Sequence, residues 1–221
     1  FPHAPVPPYP PSPPAGPDMA AEVLAPLQPA GRGLVLLPVN DNPDAGQAAG
    51  GSHWSLLVFH RPSNTLRHYD SSAGCNTRPA RQLASAIGPA LAGGSGQAAA
   101  AGPDPALGPA PALPRYVEVA GVPQQSNGYD CGAYVLALAD AVCEWWQEQH
   151  QTQRQQLEAL GEGRAAAAAA EGWERRERAL RGWLTPACVA GVRSEVLRII
   201  RAKAAGRSRK GVAPRVAVRG A

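Results

Sequence analysis

The chain has 221 residues, a net charge of +4, and 24 Gly, 24 Pro and 43 Ala. Those three types account for 91 residues and lie largely in runs, so the 44% hydrophobic content overstates the core. One compact domain of about 130–150 residues interrupted by low-complexity stretches is expected. No apolar run reaches the ~18 residues of a membrane span, and no basic-then-apolar leader opens the chain, which excludes a membrane protein and argues against secretion.

The charge is unevenly placed. Residues 201–221 hold seven Lys/Arg and no acid, leaving a net of −3 on residues 1–200. A pI near 9.1 therefore describes a basic tail on a mildly acidic domain, a weak argument for nucleic-acid binding. Cys75, Cys131, Cys143 and Cys188 are far apart, with no C-x-x-C pair. That argues against a structural zinc site or a dense disulfide framework and fits a reducing compartment, cytoplasmic or nuclear. The sequence starts at Phe1 and its single methionine is Met19, which reads as a piece of a longer product.

Residues 1–17 contain nine prolines and read as a polyproline II-like disordered arm. A folded domain is expected over 18–204, with a basic disordered tail over 205–221. Gly33 to Asn40 is a short apolar run predicted to be a buried strand, with Pro38 near its exit. A polar, Gly-rich loop covers 40–51. His53 to His60 and Thr65 to Asp70 are predicted strands joined by R-P-S-N, an antiparallel hairpin. Residues 78–92 suit a short helix, and Gly/Ala/Pro-rich 93–112 an insertion. Arg115 to Val119 alternates as a further strand, and an apolar helix follows from Asp130.

Residues 147–182 read as a second insertion, with the Gln-rich part and the Ala165–Ala170 run forming an exposed helical extension. Thr185-Pro186 is a cap and first-turn pair for a last helix. That helix would put Val189, Val192, Val196, Ile199 and Ile200 on one face. Strands followed by helices predict an α+β fold, a small mixed or antiparallel sheet packed on a long helix.

Chemistry concentrates in Q-S-N-G-Y-D-C-G, Gln125 to Gly132. Cys131 falls at a predicted helix N-terminus, where the macrodipole and free N–H groups favour a thiolate. Gly132 lets a substrate carbonyl approach the backbone, and Gln125 could donate its amide to an acyl-transfer oxyanion. If the hairpin turn has an even residue count, His53 and Asp70 share a face and can supply an oriented base. An odd count would point them apart. His68, beside Asp70, is a weaker rival as base.

G-G-S-H-W-S-L-L-V-F, H-Y-D-S and Q-Q-S-N-G-Y-D-C-G-A-Y-V together resemble the ubiquitin-like-protein-specific cysteine proteases. This is the sentrin-specific protease family, with its adenovirus-proteinase-like fold; the match is nearest to the deneddylases. L-L-P-V-N-D-N-P-D-A-G-Q-A-A-G-G-S-H-W and L-T-P-A-C-V-A-G-V-R extend it, over roughly 20–92, 113–146 and 183–204. The resemblance implies His53 as general base, Asp70 as its orienting acid, Cys131 as nucleophile and Gln125 as oxyanion donor. It implies Trp54 as the roof of a channel for a Gly-Gly tail. Loop 40–51 would fold over that tail, with Asn40, Asp41, Gly50 and Gly51 contacting it. The family's N-terminal region with its W-L-x-D-like motif has no counterpart here.

The expectation is a monomeric thiol protease that needs no metal or cofactor. It would cut after the C-terminal Gly-Gly of a RUB/NEDD-type modifier, from a precursor or from conjugates. A protease for the SUMO-type modifier, a truncated relative that binds the tail without turnover, and a nucleic-acid-binding tail stay open as alternatives. Cys143 and Cys188 read as core residues and Cys75 as a loop residue without a role. Asp130 reads as a helix cap, and Trp145-Trp146 as one buried and one partly exposed ring.

Overall fold

The computed structural model describes residues 26, 28–42, 44, 50–93, 112–160 and 162–204. The proline-rich arm, nearly all of the 93–112 insertion and the basic tail lie outside them. Four strands form one mixed sheet in the order β1-β2-β3-β4: β1 Leu34–Asn40, β2 Trp54–His60, β3 Thr65–Tyr69 and β4 Arg115–Glu118. The β1–β2 and β2–β3 pairs are antiparallel, and β4 runs parallel to β3. Among the described residues four α-helices accompany the sheet: α1 Thr77–Ala92, α2 Cys131–Leu160, α3 Glu162–Trp183 and α4 Pro186–Ala204. Among the described residues no helix is long and apolar enough to cross a membrane.

Strand β2 is buried on both faces from Ser55 onward, which is why L-L-V-F, Leu56 to Phe59, reads as an unbroken apolar run rather than an alternation. Leu57, Phe59 and Leu66 pack against Ala80, Ala84, Ile87 and Leu91 of α1. Leu56, Val58 and Tyr69 pack on the other side against α2, α3 and α4. The sheet is thus sandwiched between α1 and a three-helix layer.

Several sequence expectations shift in detail. β1 is an edge strand, mostly half-buried rather than buried, and Pro38 is exposed on it, a position that tolerates a missing N–H. The segment 147–182 is not merely a surface extension. Trp173 and Leu180 of α3 are fully buried, and Trp173 Nε1 donates to the Tyr69 hydroxyl at 2.9 Å. Glu177 accepts from that hydroxyl and from Arg67 of β3, both at 2.6 Å. In α4, Val189 and Val192 are buried but Ile200 is 56% exposed, so Ile200 falls off the apolar face. Cys188 N–H donates to Thr185 Oγ1 at 3.3 Å, giving the expected cap. Trp145 is buried and Trp146 is half-buried against the core, as their tandem reading anticipates.

Candidate active site

The hairpin turn supplies the even count that a shared face requires. His60 pairs with Thr65 and Leu56 with Tyr69, leaving four residues between the strands. Continuing the register places Ser55 opposite Asp70 and His53 diagonally from it on the same face. The side chains meet: His53 Nε2 is 2.6 Å from Asp70 Oδ1, and both residues are buried.

Asp70 is held as an acceptor on both oxygens. Ser72 N–H donates to Oδ1 at 2.9 Å and Asn76 N–H to Oδ2 at 3.0 Å. With the carboxylate on Nε2, the imidazole tautomer is fixed as Nε2–H, and Nδ1 is the nitrogen that can take a proton. His68, the rival base, is engaged at both nitrogens: Nδ1 lies 2.6 Å from Glu118 Oε1 and Nε2 2.9 Å from Ser55 Oγ. That occupancy leaves it no nitrogen for a thiol proton.

Cys131 is the first residue of α2 and is buried. Asp130 precedes it, and its carbonyl accepts from Tyr134 N–H at 2.9 Å, so Asp130 occupies the cap position through its backbone. Its carboxylate turns elsewhere, accepting from Asn127 Nδ2 at 2.7 Å and pairing with Arg193 at 3.2 Å. The start of α2 is tied to the His–Asp pair by two further bonds. Tyr134 Oη donates to Gln124 O at 3.3 Å, and Gln124 Nε2 donates to Asp70 O at 3.1 Å. Burial, with Asp140 nearby, pushes the thiol of Cys143, further along α2, above the ordinary thiol range. Burial does the same to Cys188.

Gln125 is anchored next to Asp70. Its N–H donates to Ser71 O at 2.8 Å and its Oε1 accepts from Ser71 Oγ at 2.9 Å. Nε2 donates one hydrogen to Asn127 O at 2.7 Å; a primary amide carries a second, the one an oxyanion would use.

Trp54 is 45% exposed, pairs with Asn40 across the sheet, and so is not a core residue. Asn40 and Asp41 clasp the turn that carries His53. Asn40 Nδ2 donates to His53 O at 3.1 Å, while Asp41 Oδ1 accepts from Ser52 N–H at 2.6 Å and His53 N–H at 2.9 Å. Burial raises the Asp41 carboxyl, but the hydrogen bonds from His53 and Ser52 outweigh it and hold the group below its ordinary range. Gly51 has φ +83°, and a Cβ there would lie 2.1 Å from Asn40 Oδ1. A Cβ on Gly50 would lie 2.3 Å from Asn42 Nδ2. These two glycines thus let the backbone just before His53 pack against Asn40 and Asn42.

A cleft of about 300 Å³ opens beside Asp70 between Gly74, Thr77, Glu118, Gly121 and Gln124. Trp54 is not on its wall, so this cleft is not the tail channel that the resemblance implies. The sequence reading missed Asn76, Ser71 and Gln124, the residues that stitch the three site segments together. Only the N-T-R-P run at 76–79 gave any local signal, that of a helix start.

Residues 33–160 match the Ulp1 protease family, C-terminal catalytic domain. A small mixed sheet flanked by helices, with His53 just before β2, Asp70 just after β3 and Cys131 at a helix start, fits that assignment. The chain belongs to this family of cysteine proteases. Among curated relatives, NEDD8-specific protease 1 of Arabidopsis thaliana is 37% identical over 136 residues, 62% of this chain and 52% of its own length. Human sentrin-specific protease 8 is 36% identical over 128 residues, 58% of this chain and 51% of its own. Probable sentrin-specific protease 8 of Dictyostelium discoideum is 31% identical over 115 residues, 52% and 42% respectively. The chain spans about half the length of the relatives it matches.

Proposed function

We propose that the chain is a deneddylase-like thiol protease that cuts after the C-terminal Gly-Gly of a NEDD8-type ubiquitin-like modifier. The His53–Asp70 bond of 2.6 Å carries this reading, because it is the base-and-orienter pair that a Cys nucleophile needs. The relatives' names supply the modifier. His53 Nδ1 takes the Cys131 proton, and Cys131 Sγ adds to the terminal glycyl carbonyl. The oxyanion is stabilised by Gln125 and by N–H groups at the start of α2. Collapse expels the lysine or peptide amine, protonated by the His53 imidazolium. Water, deprotonated by His53, then attacks the thioester and releases the modifier carboxylate and the thiol.

Trp54 would roof the tail, and Asn40, Asp41, Gly50 and Gly51 would shape the loop beside it. All four cysteines are free thiols, which supports a cytoplasmic or nuclear setting. Propargyl probes built on the NEDD8-type modifier, the SUMO-type modifier and ubiquitin test the reading. A Cys131 adduct with the first alone supports it, and one with the SUMO-type probe alone reassigns the modifier. The same probes separate a second reading, in which the tail is bound without turnover. Probe binding with no adduct would establish that instead.

A further inference from the structure

Asn76 is fully buried, just before α1. Its Nδ2 has three acceptors within reach: Ser55 Oγ at 3.0 Å, Val39 O at 3.2 Å and His53 O at 3.4 Å. Its N–H donates to Asp70 Oδ2 at 3.0 Å, and its carbonyl accepts from Ala80 N–H at 2.9 Å. One residue thus holds the backbone of the histidine, the carboxylate of the aspartate and the first turn of α1.

The Ser55 hydroxyl on which the amide rests is itself fixed. It lies 2.9 Å from His68 Nε2, His68 Nδ1 lies 2.6 Å from Glu118 Oε1, and Glu118 Oε2 accepts from the Tyr116 hydroxyl at 2.6 Å. A second His–carboxylate pair, with His68 buried and Glu118 reaching it from the surface, therefore stands behind the first, with Ser55 and Asn76 between them. Asn76 Oδ1, by contrast, is buried without a hydrogen-bond partner among the described residues. A buried amide with an unsatisfied oxygen is a poor choice for stability alone. Its donor side is what the position uses.

We propose that Asn76 is a positioning residue for the His53–Asp70 pair, with Ser55, braced by His68 and Glu118, as its abutment. The amide and the N–H together set the separation and direction of the imidazole and carboxylate. Loss of the amide lets the imidazole rotate away from the Cys131 proton. This inference rests on the catalytic reading above, so its test must separate the two.

The test is alkylation of the full chain by iodoacetamide from about pH 5 to 9, with Cys131 and Cys143 peptides quantified separately. His53→Ala is expected to move the Cys131 rate profile toward alkaline pH. Asn76→Ala is expected to move it the same way, with a fall of about tenfold at pH ~6.5. Ser55→Ala should shift it less, and Cys143 should follow its wild-type profile throughout. An Asn76→Ala protein that melts earlier but keeps the wild-type Cys131 profile overturns the proposal. If Asn76→Ala does not fold, Ser55→Ala decides, and a wild-type profile there overturns it equally. A wild-type profile for His53→Ala would instead overturn the catalytic pairing itself, and the positioning role with it.

Discussion

Arg193 of α4 pairs with Asp130, the residue immediately before the candidate nucleophile, at 3.2 Å. The same guanidinium donates to Tyr129 O at 2.9 Å and stacks on the Tyr129 ring, 4.8 Å from its centroid. Helix α4, through a residue 64 positions beyond Tyr129, therefore holds the turn that aims Cys131. Because the arginine is about two-fifths exposed, the ion pair itself contributes little, roughly 0–1 kcal/mol.

Arg193→Ala is accordingly expected to cost about 1 kcal/mol of stability while slowing Cys131 adduct formation several-fold. Arg193→Lys keeps the charge but not the planar stack or the forked contact, and should recover only part of that rate. Thermal melts beside probe-labelling rates check this; equal rates for all three proteins would make the contact purely structural.

Cys131→Ser should abolish turnover, with a loss of ~10³-fold or more, and leave modifier binding close to wild type. Cys143→Ser and Cys188→Ser should retain activity, since burial holds both thiols in the neutral form. Single-turnover cleavage of a modifier fusion checks each. Activity lost at Cys143 and kept at Cys131 would move the nucleophile about three turns along α2.

Gln125→Ala should lower kcat by ~10²-fold with a smaller change in KM, because the donor acts mainly in the transition state. The Ser71 contact adds a discriminating control. Ser71→Ala removes the hydroxyl that fixes the Gln125 amide at 2.9 Å, so a milder loss with the same kcat bias is expected. A pure KM effect in either variant would place Gln125 outside the oxyanion hole.

Folding stability should carry an acid limb from His60. The ring is fully buried between Trp146 and Trp173, and burial pushes its pKa down to about 4, with Gln149 opposing and Arg67 reinforcing. The neutral Nε2–H form suits its partners, since Nε2 can donate to Gln149 Oε1 at 3.3 Å while Nδ1 accepts from Ser63 at 2.7 Å. The unfolded ring, near its ordinary pKa of about 6.5, binds the proton that the folded ring refuses. Stability from this group is thus complete above about pH 6.5 and lost as pH falls toward about 4, on the order of 3 kcal/mol in all. Urea melts of wild type and His60→Gln across that window should differ in slope with pH; parallel curves would reject the assignment.

What the sequence disclosed follows from how local each signal is. The hairpin was legible because turn chemistry and a period of two act over a few residues, and its four-residue turn then fixes which side chains share a face. The nucleophile turn was legible from Q-S-N-G-Y-D-C-G for the same reason. Burial of α3 was not. Trp173, Leu180 and Leu184 recur at helical spacing, but the intervening Arg and Glu residues dilute the apolar stripe. Arg67 hid in the same way. It is buried on β3 only because Glu174 and Glu177 arrive from more than a hundred residues later, a pairing no local pattern encodes. Asn76 works by joining 39, 53, 55 and 70, and only the folded register brings those positions together.

Trp54 gives the most selective prediction. A tryptophan 45% exposed at the start of β2 leaves nearly half its surface open to a modifier, so Trp54→Ala should lower the melting temperature by less than truncation of a fully buried tryptophan would. If the ring roofs a passage for two glycines, a methyl group on the penultimate residue of the modifier must displace it. Overpacking of that kind costs ~1–3 kcal/mol, which is roughly a 5- to 150-fold loss in kcat/KM for a Gly-to-Ala substrate. Removing the indole takes away the obstacle and also the surface that steadies the scissile carbonyl. Trp54→Ala should therefore slow Gly-Gly cleavage and, in the same protein, narrow the gap between the two substrates. The decisive measurement is the ratio of the two kcat/KM values in wild type and variant. A ratio that stays the same while both rates fall would leave Trp54 as a general contact for the modifier and remove it from the channel.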